Sequence, residues 1–161
     1  MAHQELPLVY LARHAETAWS LSGQHTGLTD LPLTAVGECN AGKLRDALSG
    51  LKFVKVFSSP LRRAWRTCEL AGFRSRAEIV HDLVEWDSGE YEGRRTIEIH
   101  TERQDWQLFT TAAPVTNRRN RSPRAQTALW IWCAQFQGTF CFFPVVISSE
   151  CWPHAGPEST R

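Results

Sequence analysis

The chain carries almost no net charge. Its 161 residues hold 18 Lys and Arg against 17 Asp and Glu, a formal +1. That balance excludes bulk attraction to nucleic acid or to a membrane surface, so a site for an anion must gather its Arg locally. The opening MAHQELPLVYLARHAE has neither a basic n-region nor a long apolar run, and no secretory signal is predicted. The five Cys (39, 68, 133, 141 and 151) are odd in number and lack any CxxC or other metal-ligand spacing. They are expected to be free thiols in a reducing, cytoplasmic compartment, with no metal site. No internal repeat is visible. The stretch Ala128–Ser149 has no charged residue and is long enough to span a bilayer. Its two Gln, one Gly and one Pro leave it only marginally apolar, so a membrane span is not expected.

Two parts of the chain differ in composition. Residues 1–109 hold 15 acids and 13 Lys/Arg, whereas residues 110–161 hold 2 acids and 5 Lys/Arg. The second part also carries three of the seven Trp and three of the five Cys, and four of its Arg crowd into Arg118–Arg124. Such a shift marks a boundary near residue 110, with a poorly ordered tail beyond it.

The first part has α/β punctuation. Leu8 to Ala12 suits a buried strand, followed by a loop rich in Gly, Thr and His. Thr34 can cap a helix over 35–49 that Gly50 ends. Phe53 to Phe57 is a second strand, Ser58-Ser59-Pro60 opens a helix over 60–71, and Glu78 to Val80 is a short third strand. Alternation of this kind predicts a three-layer α/β/α fold with a mostly parallel sheet. Ligands of such sheets bind beyond the carboxyl ends of the strands. Arg13 and His14, Ser58 to Arg63, and Glu85 all fall there.

Three segments can carry chemistry. Leu11-Ala-Arg-His-Ala-Glu-Thr17 sets Arg13 beside His14 where a strand ends. A neutral imidazole is a competent nucleophile toward phosphorus, and a planar guanidinium binds phosphate oxygens through two N–H groups. Taken alone, an Arg-His pair is also an ordinary surface-loop feature. In Ser58-Ser-Pro-Leu-Arg-Arg-Ala-Trp-Arg-Thr67 a helix starts directly after a strand, so its free N–H groups face the same region. Arg63 lies about one turn inside, while Arg62 and Arg66 fit solvated helix-surface positions. In Leu83-Val-Glu-Trp-Asp-Ser-Gly-Glu-Tyr-Glu-Gly93, Glu85 stands closest to the strand end and can protonate a leaving alkoxide. Asp87, Glu90 and Glu92 fit solvated or turn-forming roles.

Together these segments resemble the histidine phosphatase superfamily, also called phosphoglycerate mutase-like. Its pattern RHG-E-T-x-W is met by Arg13, His14, Ala15, Glu16, Thr17 and Trp19, with Ala15 in place of the commoner Gly. The run Gly23 to Thr34 with Gly37 and Glu38, then SSPLRRAWRT, then LVEWDSGEYEG, match its next three blocks in order. The resemblance implies that Arg13 and Arg63 clamp phosphate, that His14 becomes phosphohistidine, and that Glu85 is the proton donor. It also implies substrate contacts near Ser20, Thr26 and Gly27, with His25 close by, and no cofactor. Ser88 stands where relatives often carry Tyr.

One block of the family is missing. A later strand should end in a Gly-His pair whose His completes the phosphate pocket. Residues 110–161 hold a single His, His154, set in CWPHAGP with no apolar strand before it. The codons suggest a reason. Taking the third base of each codon with the first two of the next, residues 141–155 can be read LFSSGHFIRVLAARW, an apolar strand, a Gly-His pair and a helix. Within residues 110–123 the same frame can read DGCPGDESPEQ, which resembles the family's loop there. The tail is therefore read as frame-shifted from near Thr110, with a lineage-specific tail as the alternative. Without the strand, the sheet is expected to be incomplete at its C-terminal end, leaving the first or second strand unpaired.

The expected activity is hydrolysis of small sugar phosphates through phosphohistidine, impaired by loss of the second His. Only about 61 codons separate Glu85 from the restored His, shorter than true mutases carry, and GQHTGLTDLPLT and EWDSGEYEG resemble sugar-phosphatase relatives of the sedoheptulose-bisphosphatase type. Mutase-type phosphotransfer and a non-catalytic remnant are the alternatives. The expected partner is a small phosphorylated metabolite and not nucleic acid.

Overall fold

The apolar run LVYL has no capping or turn residue to interrupt an extended backbone, and it forms strand β1 (Leu8–Leu11). A computed structural model of the chain describes residues 8–85, 87–107 and 139–143. Helix α1 (Ala18–Ser22) follows, started by a reciprocal cap. Thr17 Oγ1 accepts the Ser20 N–H at 3.1 Å, and Ser20 Oγ accepts the Thr17 N–H at 2.9 Å. Gly23 ends the helix at a φ of 75°, a left-handed conformation that favours glycine. Helix α2 (Ala35–Leu48) is capped by Thr34, whose Oγ1 accepts the Gly37 N–H at 2.9 Å. Strand β2 (Lys55–Ser58), helix α3 (Arg62–Leu70) and strand β3 (Ala77–Ile79) come next. Two 3₁₀ turns, His81–Leu83 and Gly89–Tyr91, lead to helix α4 (Thr96–Glu102). Strand β4 (Thr139–Phe143) is the last of the described elements.

Strands β1, β2 and β3 and helices α2 and α3 lie where the sequence predicts them, with ends shifted by one or two residues. The short helices α1 and α4 are additions. Neither is long enough to show a hydrophobic period, although Thr17 and Ser20 carry the capping signal of α1.

The four strands form one parallel sheet in the order β1-β4-β2-β3. Tyr10, Cys141, Val56 and Ala77 stand side by side in register. The face bearing Tyr10 and Val56 meets α2 and α3 in one hydrophobic cluster of Ala12, Leu48, Phe53, Val56, Cys68, Ala71 and Phe73, with Tyr10, Leu44, Leu51 and Ala77 packed against it. Phe53 touches Tyr10 and Phe73 edge to face, at ring separations of 5.5 Å each. On the opposite face Lys55 pairs with Glu78, and Leu11 is half exposed. The α/β class and the parallel sheet are those the sequence predicts.

The expectation of an unpaired strand is corrected. Thr139–Phe143 lies between β1 and β2 and pairs with both. The physical reason is that a slot between two parallel strands is filled through backbone hydrogen bonds, which any extended segment can supply. TFCFF is uncharged, free of Gly and Pro, and rich in residues that favour strands. The boundary near residue 110, the remainder of the tail and His154 lie outside the described residues. Among the described residues no helix is long and apolar enough to cross a membrane. Thr139–Phe143, inside the uncharged stretch noted above, is a sheet strand.

Candidate active site

The parallel sheet aims the ends of β1, β2 and β3 toward one edge, and the polar residues gather there. After β1 the chain buries Ala12, exposes Arg13 and buries His14, which is 9% exposed. His14 Nδ1 lies 2.7 Å from the Ala15 carbonyl oxygen. A carbonyl can only accept, so Nδ1 carries the proton and the Nε2 lone pair is left available. Burial pushes the His14 imidazole down to a pKa of about 4, and the charges of Arg63 and Arg13 act in the same direction, against the Ala15 contact. At neutral pH His14 is therefore an uncharged base between two cations.

The loop that presents His14 is held from helix α3. Thr67 Oγ1 accepts the Ala15 N–H at 3.0 Å and donates to the Arg63 carbonyl at 2.7 Å. Thr67 is buried, as are Ser58 and Ser59 at the end of β2.

Arg63 is fully buried in the first turn of α3. Its Nη1 donates to the Thr29 carbonyl and its Nη2 to the Gly27 carbonyl, each at 2.8 Å. Its buried Nε–H has no hydrogen-bond partner among the described residues. Burial works against the charge of Arg63, and Arg13 adds to that; the carboxylates of Glu85, Asp30 and Glu92 offset it, Glu85 most. Glu85, half-buried, thus lies within electrostatic reach of the Arg63 guanidinium, and Arg63 within reach of His14. The structure brings Arg13, His14, Arg63 and Glu85 into one electrostatic cluster.

Other expected residues have different surroundings. The N-terminus of α3 is partly occupied: Arg62 N–H donates to Asp30 Oδ1 at 2.7 Å, so this donor is not open to a ligand. A carboxylate fits there because it meets both the helix dipole and the charge of Arg63. Ser20 Oγ serves the α1 cap and donates to the Thr17 carbonyl at 3.0 Å. Thr26 Oγ1 donates to the Gln24 carbonyl at 3.4 Å, and Gly27 offers its carbonyl to Arg63. His25 packs edge to face on Trp106 and places Nε2 3.1 Å from Thr96 Oγ1. Ser88 is buried, and Asp87 Oδ1 accepts the Gly89 N–H at 2.9 Å as a turn former.

Two expectations of simple solvation are corrected. Arg66 pairs with Glu38 at 2.7 Å and Glu69 at 2.9 Å, joining α3 to α2. Glu92 crosses to the 27–30 loop, where its carboxylate accepts the Leu28 N–H at 2.9 Å, the Thr29 N–H at 3.3 Å and the Thr29 hydroxyl at 2.6 Å. Thr67, Glu92 and Asp30 are the site-forming residues that sequence reasoning missed. Thr67 had a local signal, because it stands four residues after Arg63 and so on the same side of the helix. The contacts of Glu92 and Asp30 join segments far apart in sequence and leave no local trace.

Comparison with known proteins bears on the same residues. Residues 9–128 match the model of the Histidine phosphatase superfamily (branch 1). An acid phosphatase of Mycobacterium tuberculosis is 41% identical over 106 residues, covering 65% of this chain and 52% of the relative. Sedoheptulose 1,7-bisphosphatase of Saccharomyces cerevisiae is 37% identical over 108 residues, covering 58% and 40%. A probable phosphoglycerate mutase GpmB of Proteus mirabilis is 32% identical over 100 residues, covering 61% and 46%. The chain spans about half the length of the curated relatives it matches. Among solved structures, that of the open reading frame Rv3214 from Mycobacterium tuberculosis superposes with a TM-score of 0.71 at 32% identity, covering 83% of this chain and 71% of that one. With three quarters of its length inside the family model and with His14, Arg13 and Arg63 in one cluster, the chain belongs to the histidine phosphatase superfamily, branch 1.

Proposed function

We propose that the chain derives from a phosphomonoesterase that hydrolyses small sugar phosphates through a phosphohistidine on His14. The observation that carries this reading is the state of His14: buried, uncharged, with Nδ1 engaged by Ala15 and Nε2 left as a base beside Arg13 and Arg63. Nε2 attacks phosphorus, the bond to the ester oxygen breaks, and the Glu85 carboxylic acid gives its proton to the departing alkoxide. Water then attacks the phosphoimidazole while the Glu85 carboxylate takes a proton from it, which releases phosphate and restores both groups. Arg13 and Arg63 oppose the charge on the phosphoryl oxygens. The orphaned Nε–H of Arg63 supports this assignment, because a buried donor without a partner costs about 1–3 kcal/mol and a phosphate oxygen would satisfy it.

Ser20, Thr26 and Gly27 line the approach in this reading. Gly27 acts through its carbonyl on Arg63, and Ser20 through the cap that shapes the loop. The relatives named for an acid phosphatase and for sedoheptulose 1,7-bisphosphatase favour hydrolysis of a phosphorylated metabolite, sugar phosphates included. We place a mutase-type transfer second, on the likeness to the probable phosphoglycerate mutase, and a phosphate-binding remnant third. Turnover in this chain is expected to be impaired, since its sequence lacks a Gly-His block. Exposed Cys39, a free thiol, fits a cytoplasmic setting.

The test is covalent trapping. A ³²P-labelled sugar phosphate, quenched rapidly in base, should leave acid-labile, alkali-stable label on the wild-type chain and none on His14→Ala. Equal labelling of the two would end the phosphohistidine reading. Transfer of the label to an added sugar phosphate in preference to water would favour the mutase.

A further inference from the structure

Arg63 cannot choose its own orientation, because its guanidinium is a rigid plane whose Nη atoms are taken by two carbonyls of a surface loop. Where those carbonyls stand decides where the remaining N–H groups point. The loop, Gly27 to Asp30, has no regular secondary structure to fix it. Asp30 ties its end to the Arg62 N–H, and its middle is held by Glu92, which comes from the same segment as Glu85. One carboxylate oxygen of Glu92 accepts the Leu28 N–H, and the other accepts both the N–H and the hydroxyl of Thr29. The carbonyls of Gly27 and Thr29 lie on either side of these anchored amides and receive Arg63.

We infer that Glu92 is a positioning residue: it sets the Leu28–Thr29 backbone so that Arg63 offers its Nε–H edge to a phosphate oxygen. This rests on the phosphate-binding reading above. Glu92 itself touches no ligand in this scheme. A carboxyl group suits this place, because three donors converge on its two oxygens and each needs a lone pair. In Glu92→Gln one acceptor becomes an NH₂ group, which faces the Leu28 N–H or the Thr29 N–H according to how the amide is turned, donor against donor in either case, and the loop must move. The neighbouring attachment of the two segments does not depend on this carboxylate. His25 N–H donates to the Arg94 carbonyl at 2.8 Å, Gly93 N–H to the His25 carbonyl at 2.9 Å, and Gln24 Nε2 to the Gly93 carbonyl at 2.5 Å. The loss should therefore fall on the orientation of Arg63 more than on the fold.

The experiment is titration of the whole chain with inorganic phosphate by calorimetry. The ¹H–¹⁵N signal of Arg63 Nε, assigned by its absence in Arg63→Ala, is followed in parallel. Wild type should bind phosphate and shift that signal, and Arg63→Ala should lose binding. Glu92→Gln should bind about tenfold more weakly, the effect of one charge-assisted hydrogen bond, and its Nε signal should move or broaden before phosphate is added. Thr29→Val, which keeps the carboxylate and removes one hydroxyl, should show a smaller change in the same direction and covers the case in which Glu92→Gln does not fold. Binding and Nε signal unchanged in both variants, with Arg63→Ala still defective, would overturn the role of Glu92 alone. No binding by wild type, or unchanged binding by Arg63→Ala, would overturn the phosphate site and this inference together.

Discussion

Thr67 holds Ala15: its hydroxyl oxygen, buried in helix α3, accepts the Ala15 N–H at 3.0 Å and returns its own proton to the Arg63 carbonyl. The residue after His14 is thereby tied to the helix that carries Arg63. Thr67→Val keeps the shape and leaves the Ala15 N–H without an acceptor, which should cost about 1–3 kcal/mol in a denaturant titration. Thr67→Ser should recover most of it. Equal losses in the two variants would assign the effect to the methyl group and not to the hydrogen bond.

Gly37 is closed to any larger residue. A Cβ built there would lie 2.2 Å from the carbonyl oxygen of Glu16, which also accepts the Thr34 N–H. Gly37→Ala must push the start of α2 away from the loop that follows His14. A loss of about 1–3 kcal/mol is expected, the usual cost of overpacking, together with weaker phosphate binding. An unchanged melting temperature would show that this approach is not tight.

His14 gives a pH dependence with a definite sign. Its imidazole ordinarily takes a proton near 6.5, whereas in the folded chain burial and the Arg63 and Arg13 charges lower that to about 4. Between these values the unfolded chain binds the proton and the folded chain does not. Stability is therefore full above about pH 6.5 and falls as the pH drops toward 4, by at most about 3 kcal/mol. His14→Gln should lose this dependence. The acid limb of kcat/KM for any hydrolysis should likewise lie near pH 4. An imidazole titration near 6.5 in the folded chain, followed by NMR, would contradict both.

Glu85 acts on the leaving group in the proposed reaction, so the effect of removing it must depend on what leaves. Glu85→Gln should slow hydrolysis of an alkyl phosphate by roughly 10²–10⁴. An aryl phosphate with an acidic phenol needs no proton and should be far less affected. Equal losses on both substrates would assign Glu85 to the electrostatics of Arg63 instead.

The reading frame supplies a prediction that needs no enzyme assay. The coding sequence from the codon of Thr110 onward should remain open in the alternative frame and encode the Gly-His block. A chain restored to that frame should turn over faster than this one. Stop codons interrupting that frame would remove the explanation.

Much of the candidate site was legible in the sequence because its parts stand at strand ends. Arg13, His14 and Arg63 are chemically conspicuous residues next to apolar runs, and the α/β alternation fixes which end of the sheet they share. The supporting contacts were not legible. Glu92 looks like one acid among several in a turn, and only the folded loop shows three donors converging on it. The central strand was misjudged for a related reason. Pattern reasoning sought a strand ending in Gly-His, whereas the slot between β1 and β2 is met by TFCFF through its backbone.

That strand has a consequence for how the chain comes into being. During synthesis β1, β2 and β3 leave the ribosome long before Thr139–Phe143 does. Until then, among the described residues, β1 has no neighbour in the sheet, and β2 presents an open edge to other nascent chains. Closing the gap joins Leu8 to Thr139 across most of the polypeptide, the kind of distant pairing that makes folding slow. The interval between emergence of β3 and arrival of β4 is therefore the period in which a chaperone has most to protect.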